Sequence, residues 1–252
     1  MNDAPSPVPR FGPLLIYDRV GSTNDIAKEL ARAGKPDRTL VWAREQTAGR
    51  GRRGRVWHSP PGNFYLSFVL RPAVPATRAA QLGFVTALGL GDALIDLAGH
   101  RLDLRYKWPN DLLVGGKKIA GILLESETAV TGDVEFVVVG VGVNTAEAPE
   151  NVEYPATSLA AEGVSGVTAS AMLTAFARRF DRWDRRWQRF GFAPVRAAWM
   201  ERAAGLGDDI RVRLGSATLT GRFADLGGDG ALVLDAADGR RRIAAGDVFP
   251  AA

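Results

Sequence analysis

The chain predicts an α+β architecture: a β-sheet domain with flanking helices, followed by a small β-barrel. Three observations lead there. Apolar, strand-like runs recur between residues 14 and 144, the longest being 134–144. Two stretches, 79–97 and 170–190, instead carry apolar residues at helical spacing. After Gly207 the texture changes to short alternating runs parted by Gly and Asp turns. The organisation expected is a disordered, proline-rich leader over 1–13, a main domain over 14–205 and a terminal domain over 206–252.

Taken in order, 14–17 reads as a strand, and Ser22 or Thr23 opens a short helix through Ala33. In that helix Ile26, Ala27, Leu30 and Ala31 share one face, and Gly34 closes it. Residues 40–43 and 64–70 read as strands. Gly89 and Gly91, inside the first long helix, predict close packing on a sheet. Gly115-Gly116 marks a two-residue hairpin turn. The run 134–144 is nearly all apolar, so it belongs at the centre of a sheet. On the second long helix Leu173, Phe176, Phe180, Trp183, Trp187 and Phe190 form a core stripe. A further helix is expected over 194–203, then four short strands at 210–214, 217–220, 232–234 and 242–243.

Composition narrows the function. The 252 residues are 46% hydrophobic and 24% charged, ample for one sizeable core. The absence of cysteine excludes disulfides, thiolate catalysis and zinc–cysteine sites. With two histidines, a His-based triad or metal cluster is not expected. No uninterrupted run of 18 apolar residues and no signal-peptide pattern occur, so a cytoplasmic protein without membrane attachment is expected. The net charge of +4 is modest and concentrated in one loop, which favours an anionic ligand over a broad nucleic-acid surface.

Two stretches carry chemistry. In 107–125, Lys107, Asn110, Asp111 and Lys118 interrupt an apolar hairpin, and buried polar groups are costly unless paired. In 46–57, four arginines alternate with three glycines. Glycine lets backbone approach a ligand, and guanidinium forks grip phosphate or carboxylate. A solvated basic loop is the ordinary alternative. Gly49-x-Gly51-x-x-Gly54 satisfies the dinucleotide fingerprint, but 56–62 cannot open the helix that motif requires. The His-Arg-Asp and Asp-Phe-Gly segments of a kinase are missing as well.

Together, Gly21-Ser22-Thr23-Asn24, Gln46-Thr-Ala-Gly-Arg-Gly-Arg-Arg-Gly-Arg55, Lys107-Trp-Pro-Asn-Asp111, Lys117-Lys-Ile-Ala-Gly121 and Gly140-Val-Gly-Val-Asn144 resemble the biotin–protein ligase family. The resemblance spans about residues 10–250. It implies a mixed-sheet catalytic domain of the class II aminoacyl-tRNA synthetase and biotin ligase type, with an SH3-like C-terminal domain. It also implies an ATP-dependent, C–N bond-forming reaction. Biotin is activated to biotinyl-5′-AMP and passed to a lysine of a biotin carboxyl carrier protein or domain. Barely twenty residues precede Gly-Ser-Thr-Asn, so the winged helix-turn-helix of the repressor-type relatives is not expected, nor is a DNA partner. Lipoate–protein ligase or octanoyltransferase of the same superfamily is the alternative.

The resemblance assigns roles. Lys118, Arg52 and Asp111 are the catalytic candidates. For biotin they are Ser22, Thr23, Asn24, Gln46, Arg50, Gly51, Arg52, Lys118, Gly121 and Gly142, the last two glycines keeping space for the bicyclic ring. Helix capping is the simpler role for Ser22–Asn24. For ATP and adenylate the candidates are Arg50, Arg52, Arg53, Trp57, Asn110, Lys118 and Asn144. Trp57 and Trp108 are both open as adenine cover or as core, Arg53 and Arg55 as ligand-facing or solvated, and Asn110 and Asp111 as ligand contacts or turn caps. ATP and biotin are substrates with Mg2+, for which no protein metal site is predicted, the ion riding on phosphates. A homodimer formed through the sheets is compatible with the family.

Overall fold

A computed structural model describes residues 8, 10–99, 102–129, 133–215 and 217–251. Its main sheet has seven strands: β1 (Leu14–Val20), β2 (Leu40–Gln46), β3 (Phe64–Leu70), β4 (Leu104–Lys107), β5 (Asp111–Val114), β6 (Lys117–Thr128) and β7 (Val134–Val143). Their order is β1-β2-β3-β7-β6-β5-β4. β1 and β2 run parallel and the other neighbours antiparallel, so the sheet is mixed. β7 lies at its middle, as the continuous valine run predicts. Both its faces are covered, which removes the need for polar alternation.

One face carries α1 (Thr23–Arg32), whose Ala27 and Ala31 pack on Val41, Val69, Phe136 and Val138. The other face carries α3 (Leu82–Ala98), preceded by the single turn α2 (Ala76–Ala79), and α4 (Ala169–Phe190). By length and composition alone 76–98 is apolar enough to cross a membrane; here it is the core helix, mostly buried inside the fold. Its two glycines serve different neighbours. A Cβ on Gly91 would lie 2.4 Å from the Tyr106 hydroxyl on the sheet, as expected. A Cβ on Gly89 would lie 2.8 Å from the Cα of Phe180, so Gly89 admits a helix rather than the sheet.

Along α4, Leu173, Phe176, Phe180 and Trp187 are buried. Trp183 is half-buried and donates to Asp92 (2.9 Å). Phe190, the last residue of the helix, is 60% exposed and departs from the expected stripe because the core ends before it. Phe11 packs against Phe68 and Phe180, ring centroids 6.2 Å apart in each case. Residues 1–7 and 9 of the expected leader lie outside the described residues.

The last helix, α5 (Ala193–Met200), is shorter than 194–203. The chain beyond it bonds to β4 instead: Tyr106 N–H donates to the Arg202 carbonyl and Ala204 N–H to the Tyr106 carbonyl, both at 2.8 Å. The terminal unit is a five-stranded antiparallel sheet of β8 (Asp209–Arg213), β9 (Thr218–Leu226), β10 (Leu232–Ala236), β11 (Gly239–Ile243) and β12 (Asp247–Pro250). Its order is β11-β10-β9-β8-β12, the SH3-like unit expected, with β12 an additional strand too short to show in the sequence pattern. Trp108 donates its Nε1 to the Gly230 carbonyl (3.0 Å), fastening this unit to the main sheet.

Gly89→Val forces a branched side chain into the α3–α4 contact. It is expected to lower unfolding free energy by about 1–3 kcal/mol, read from urea denaturation midpoints; an unchanged midpoint refutes that packing argument.

Candidate active site

Where β6 and β7 pair, Gly121 stands opposite Gly142, making a strip of sheet without side chains. The first turn of α1 sits directly beside it, since a Cβ on Gly140 would lie 2.2 Å from Asn24 Oδ1. Above this floor opens a cleft walled by α1, the Arg/Gly loop, the β4–β5 turn and Lys118. Three groups of side chains converge on it.

The first group belongs to the start of α1. Ser22 occupies the N-cap with extended backbone, and its side chain makes no capping bond. Thr23 N–H and Oγ1 both donate to Gln46 Oε1 (2.9 and 3.0 Å), and Gln46 Nε2 donates to Ser59 Oγ (3.0 Å). Asn24 Nδ2 donates to Glu125 (2.7 Å), while its Oδ1 accepts from Ser67 (2.6 Å). The side chains of Thr23, Asn24 and Gln46 thus brace the cleft wall.

The second group is a charge triad in which Lys107 and Asp111 are buried and Lys118 is partly so. Lys107 and Asp111 face each other across the β4–β5 register. Lys107 Nζ lies 2.9 Å from one Asp111 oxygen and Lys118 Nζ 2.6 Å from the other. Burial pushes the Asp111 carboxyl up, but Lys118 and Lys107 outweigh it and hold the group below the ordinary carboxylate value. Lys118 reaches inward while its neighbour Lys117 is exposed, as the pleat dictates. Asn110, beside the triad, donates Nδ2 to the Ile122 carbonyl (2.7 Å).

The Arg/Gly loop supplies the third group. It turns through Arg52–Gly54, with Arg53 and Gly54 at φ of 55° and 72°. Gly51 N–H donates to the Arg55 carbonyl (2.7 Å) and Trp57 N–H to that of Gly49 (2.9 Å). Arg50 grips Asp25 through both terminal nitrogens (2.7 and 2.6 Å) and also reaches Glu125 (3.0 Å). Arg52 donates to the Gly246 carbonyl (3.1 Å), close to Asn110 Oδ1 (3.5 Å); burial pushes its guanidinium below the ordinary value. Arg53 and Arg55 both bond Asp247 at the start of β12, Arg53 at 3.2 Å. The loop is thus pinned by a carboxylate of the C-terminal sheet.

Most sequence-predicted residues gather here: Ser22, Thr23, Asn24 and Gln46 on one wall, Arg50, Gly51, Arg52 and Trp57 in the loop, and Asn110, Asp111, Lys118, Gly121 and Gly142 below. Two do not line the cleft. Arg53 turns to Asp247, and Asn144 is buried with its Nδ2 donating to the Thr157 carbonyl (3.1 Å). Trp108 lies in the core, 1% exposed. Trp57 lies flat against the glycine strip: a Cβ on Gly142 would meet its Nε1 at 2.5 Å, and one on Gly121 its Cζ3 at 3.1 Å. The space expected for a substrate ring holds this indole in the structure. Asp25, Ser67, Glu125 and Asp247 were not foreseen. Glu125 shares a strand face with Gly121, a signal that alternation offered. Asp247 lies nearly two hundred residues from its arginines and gave none. Among the described residues no group of three or more His, Asp or Glu gathers as a metal cage.

Comparison with known proteins supplies the lineage. Residues 16–144 match the model of the "Biotin/lipoate A/B protein ligase family", and residues 205–249 that of the "Biotin protein ligase C terminal domain". The chain belongs to this ligase family. It is 46% identical to the "Biotin--[acetyl-CoA-carboxylase] ligase" of Paracoccus denitrificans, covering 92% of this chain and 98% of that one. It is 34% identical to the "Bifunctional ligase/repressor BirA" of Bacillus subtilis (strain 168), covering 93% of this chain and 73% of that protein. Among solved structures, the "Biotin protein ligase from Aquifex aeolicus in complex with biotin and ATP" superposes with a TM-score of 0.81 at 27% identity, over 95% of this chain and 98% of that one. The mixed sheet and the SH3-like terminal unit are thus the fold of a chain in this ligase family.

The triad yields a pH prediction. Asp111 and Glu125 are both held below their ordinary values, Glu125 because Asn24, Lys28 and Arg50 outweigh the opposing effect of burial. Groups depressed in the folded state stabilise it above their unfolded pKa, about 4, and that stability is lost as pH falls through the folded values. Asp111→Asn leaves two ammonium groups without their carboxylate and is expected to cost about 3–5 kcal/mol at neutral pH. Its denaturation midpoint should then change less than the parent's below pH about 4. An equally steep acid limb in both proteins refutes the assignment.

Proposed function

We propose that this chain is a biotin–protein ligase that works in two steps at the glycine-floored cleft. The biotin carboxylate attacks the α-phosphorus of ATP, giving biotinyl-5′-AMP and pyrophosphate. A lysine amine of a carboxyl carrier domain then attacks the mixed anhydride, forming the amide and releasing AMP. The observation that carries this reading is the meeting, in one cleft, of Lys118 and Arg52 with a side-chain-free strip of sheet. Two anions must approach each other, and fixed cations where their charge gathers lower that barrier. The match to the biotin ligase C-terminal family and the name of the Paracoccus relative favour biotin over lipoate.

In this reading Lys118 bridges the carboxylate and the α-phosphate, and Asp111 with Lys107 sets its position. Arg52 follows the phosphates. Arg50, already committed to Asp25 and Glu125, anchors the loop and meets ligand only if those pairs open. Thr23, Asn24 and Gln46 serve the ureido ring, whose two N–H groups and carbonyl demand polar partners. Arg53 and Asn144 act by holding loop and strand rather than by touching nucleotide. Magnesium arrives on the ATP phosphates as part of that substrate. We take the division between catalytic and terminal units near residue 205, the reaction as cytoplasmic, and the free edge strand β1 as the place where two copies would pair.

Incubating the protein with ATP, magnesium, biotin and a purified carrier domain should add one biotinyl mass to the carrier. Labelling with lipoate in its place favours the alternative. Lys118→Ala should slow adenylate formation by about 100-fold while leaving biotin affinity, by calorimetry, within about tenfold. Equal losses in rate and affinity would remove Lys118 from the chemical step.

A further inference from the structure

We infer that Trp57 is a displaceable occupant of the acyl-substrate slot: substrate enters by exchange with its indole, and the exchange releases Lys118. This rests on the biotin-activating reading above and adds the residue that controls entry.

The geometry starts from the two glycines. Gly121 and Gly142 pair across β6 and β7, and a Cβ on either would strike the Trp57 ring, at 3.1 and 2.5 Å. The indole therefore occupies the volume that the missing side chains leave. Indole and the biotin head group are both fused bicycles, so one can replace the other without uncovering the buried backbone beneath.

The seating is imperfect in a way that suits exchange. Trp57 Nε1 is buried and has no hydrogen-bond partner among the described residues. Buried indole N–H groups ordinarily find an acceptor, and one left without weakens the packed state. The backbone, by contrast, is fastened: Trp57 N–H donates to the Gly49 carbonyl (2.9 Å) and its own carbonyl accepts from Ser59 Oγ (2.9 Å). A Cβ on Gly49 would sit 2.4 Å from Ser59 Oγ, so this base is tightly packed. A fixed base with a poorly satisfied ring assigns the motion to the side chain.

Lys118 couples the motion to chemistry. Its Nζ lies 5.2 Å from the Trp57 ring centroid and 2.6 Å from Asp111. While the indole is seated, the ammonium group has an aromatic face and a carboxylate as partners. Departure of the ring removes the first partner and turns the cation toward an arriving anion. A slot that is open only part of the time lowers the apparent association rate by that fraction.

The test uses the full chain, tritiated biotin and rapid mixing with filtration. For the parent protein the observed binding rate should level off as biotin rises, because ring exit becomes limiting. Trp57→Ala should remove that ceiling and bind at least tenfold faster at the highest concentration, with Trp57→Phe in between. Far-ultraviolet circular dichroism identifies any variant that has not folded; Trp57→Phe, which keeps an aromatic ring, then carries the comparison alone. A Trp57 that only walls the slot would raise the dissociation rate and leave association unchanged, which overturns the inference. If the carrier is labelled and association rates agree among the three proteins, this inference fails while the ligase reading stands. If biotin is neither bound nor transferred by the parent, both fail.

Discussion

One buried carboxylate organises the site. Asp111 holds Lys107 and Lys118 at 2.9 and 2.6 Å, and without it two ammonium groups, that of Lys107 buried, would be left without their carboxylate. Burying charge is tolerated only when the geometry pairs it. The hairpin between β4 and β6 delivers that geometry: Lys107 stands opposite Asp111 in one ladder, and Asp111 opposite Gly121 in the next. The missing side chain at Gly121 helps leave room for the Lys118 chain, whose Cε would lie 3.4 Å from a Cβ there. A cation is thereby held ready beside a bare strip of sheet.

The arginine loop depends on carboxylates in a different way. Its guanidinium groups divide between two anchors: Arg50 on Asp25 and Glu125, and Arg53 with Arg55 on Asp247. Only Arg52, desolvated and bonded mainly to a carbonyl, keeps its fork near the triad without a close carboxylate, Asp247 being 3.9 Å away. An exposed cationic loop would repel itself; distributing its charges over carboxylates from both units lets it lie down. Because Asp247 begins β12, the C-terminal sheet takes part in shaping the cleft rather than merely following it.

Several features were legible without coordinates. The valine run of β7 and the Gly115-Gly116 turn follow from local rules about burial and turn geometry, whereas Lys118 was marked as a site residue only through the family resemblance. The presence of polar groups in an apolar hairpin is equally local, and it marks the triad before its pairing is known. Other features had no local signature. Gly89 receives a helix, residues 202–204 pair with β4 instead of extending α5, and Phe190 runs past the core; each is settled by a distant neighbour.

The residues themselves determined the sheet with flanking helices, the terminal β unit, the chemistry of a cation-rich cleft and, through five motifs, the family. They did so because burial periodicity and residue type are properties of short segments. The tertiary structure decided which carboxylate each arginine meets, that Asp247 reaches the loop, that Asn144 turns away, and that Trp57 lies upon the paired glycines. Those outcomes depend on which faces the packed sheets bring together, and one-dimensional spacing does not contain that information.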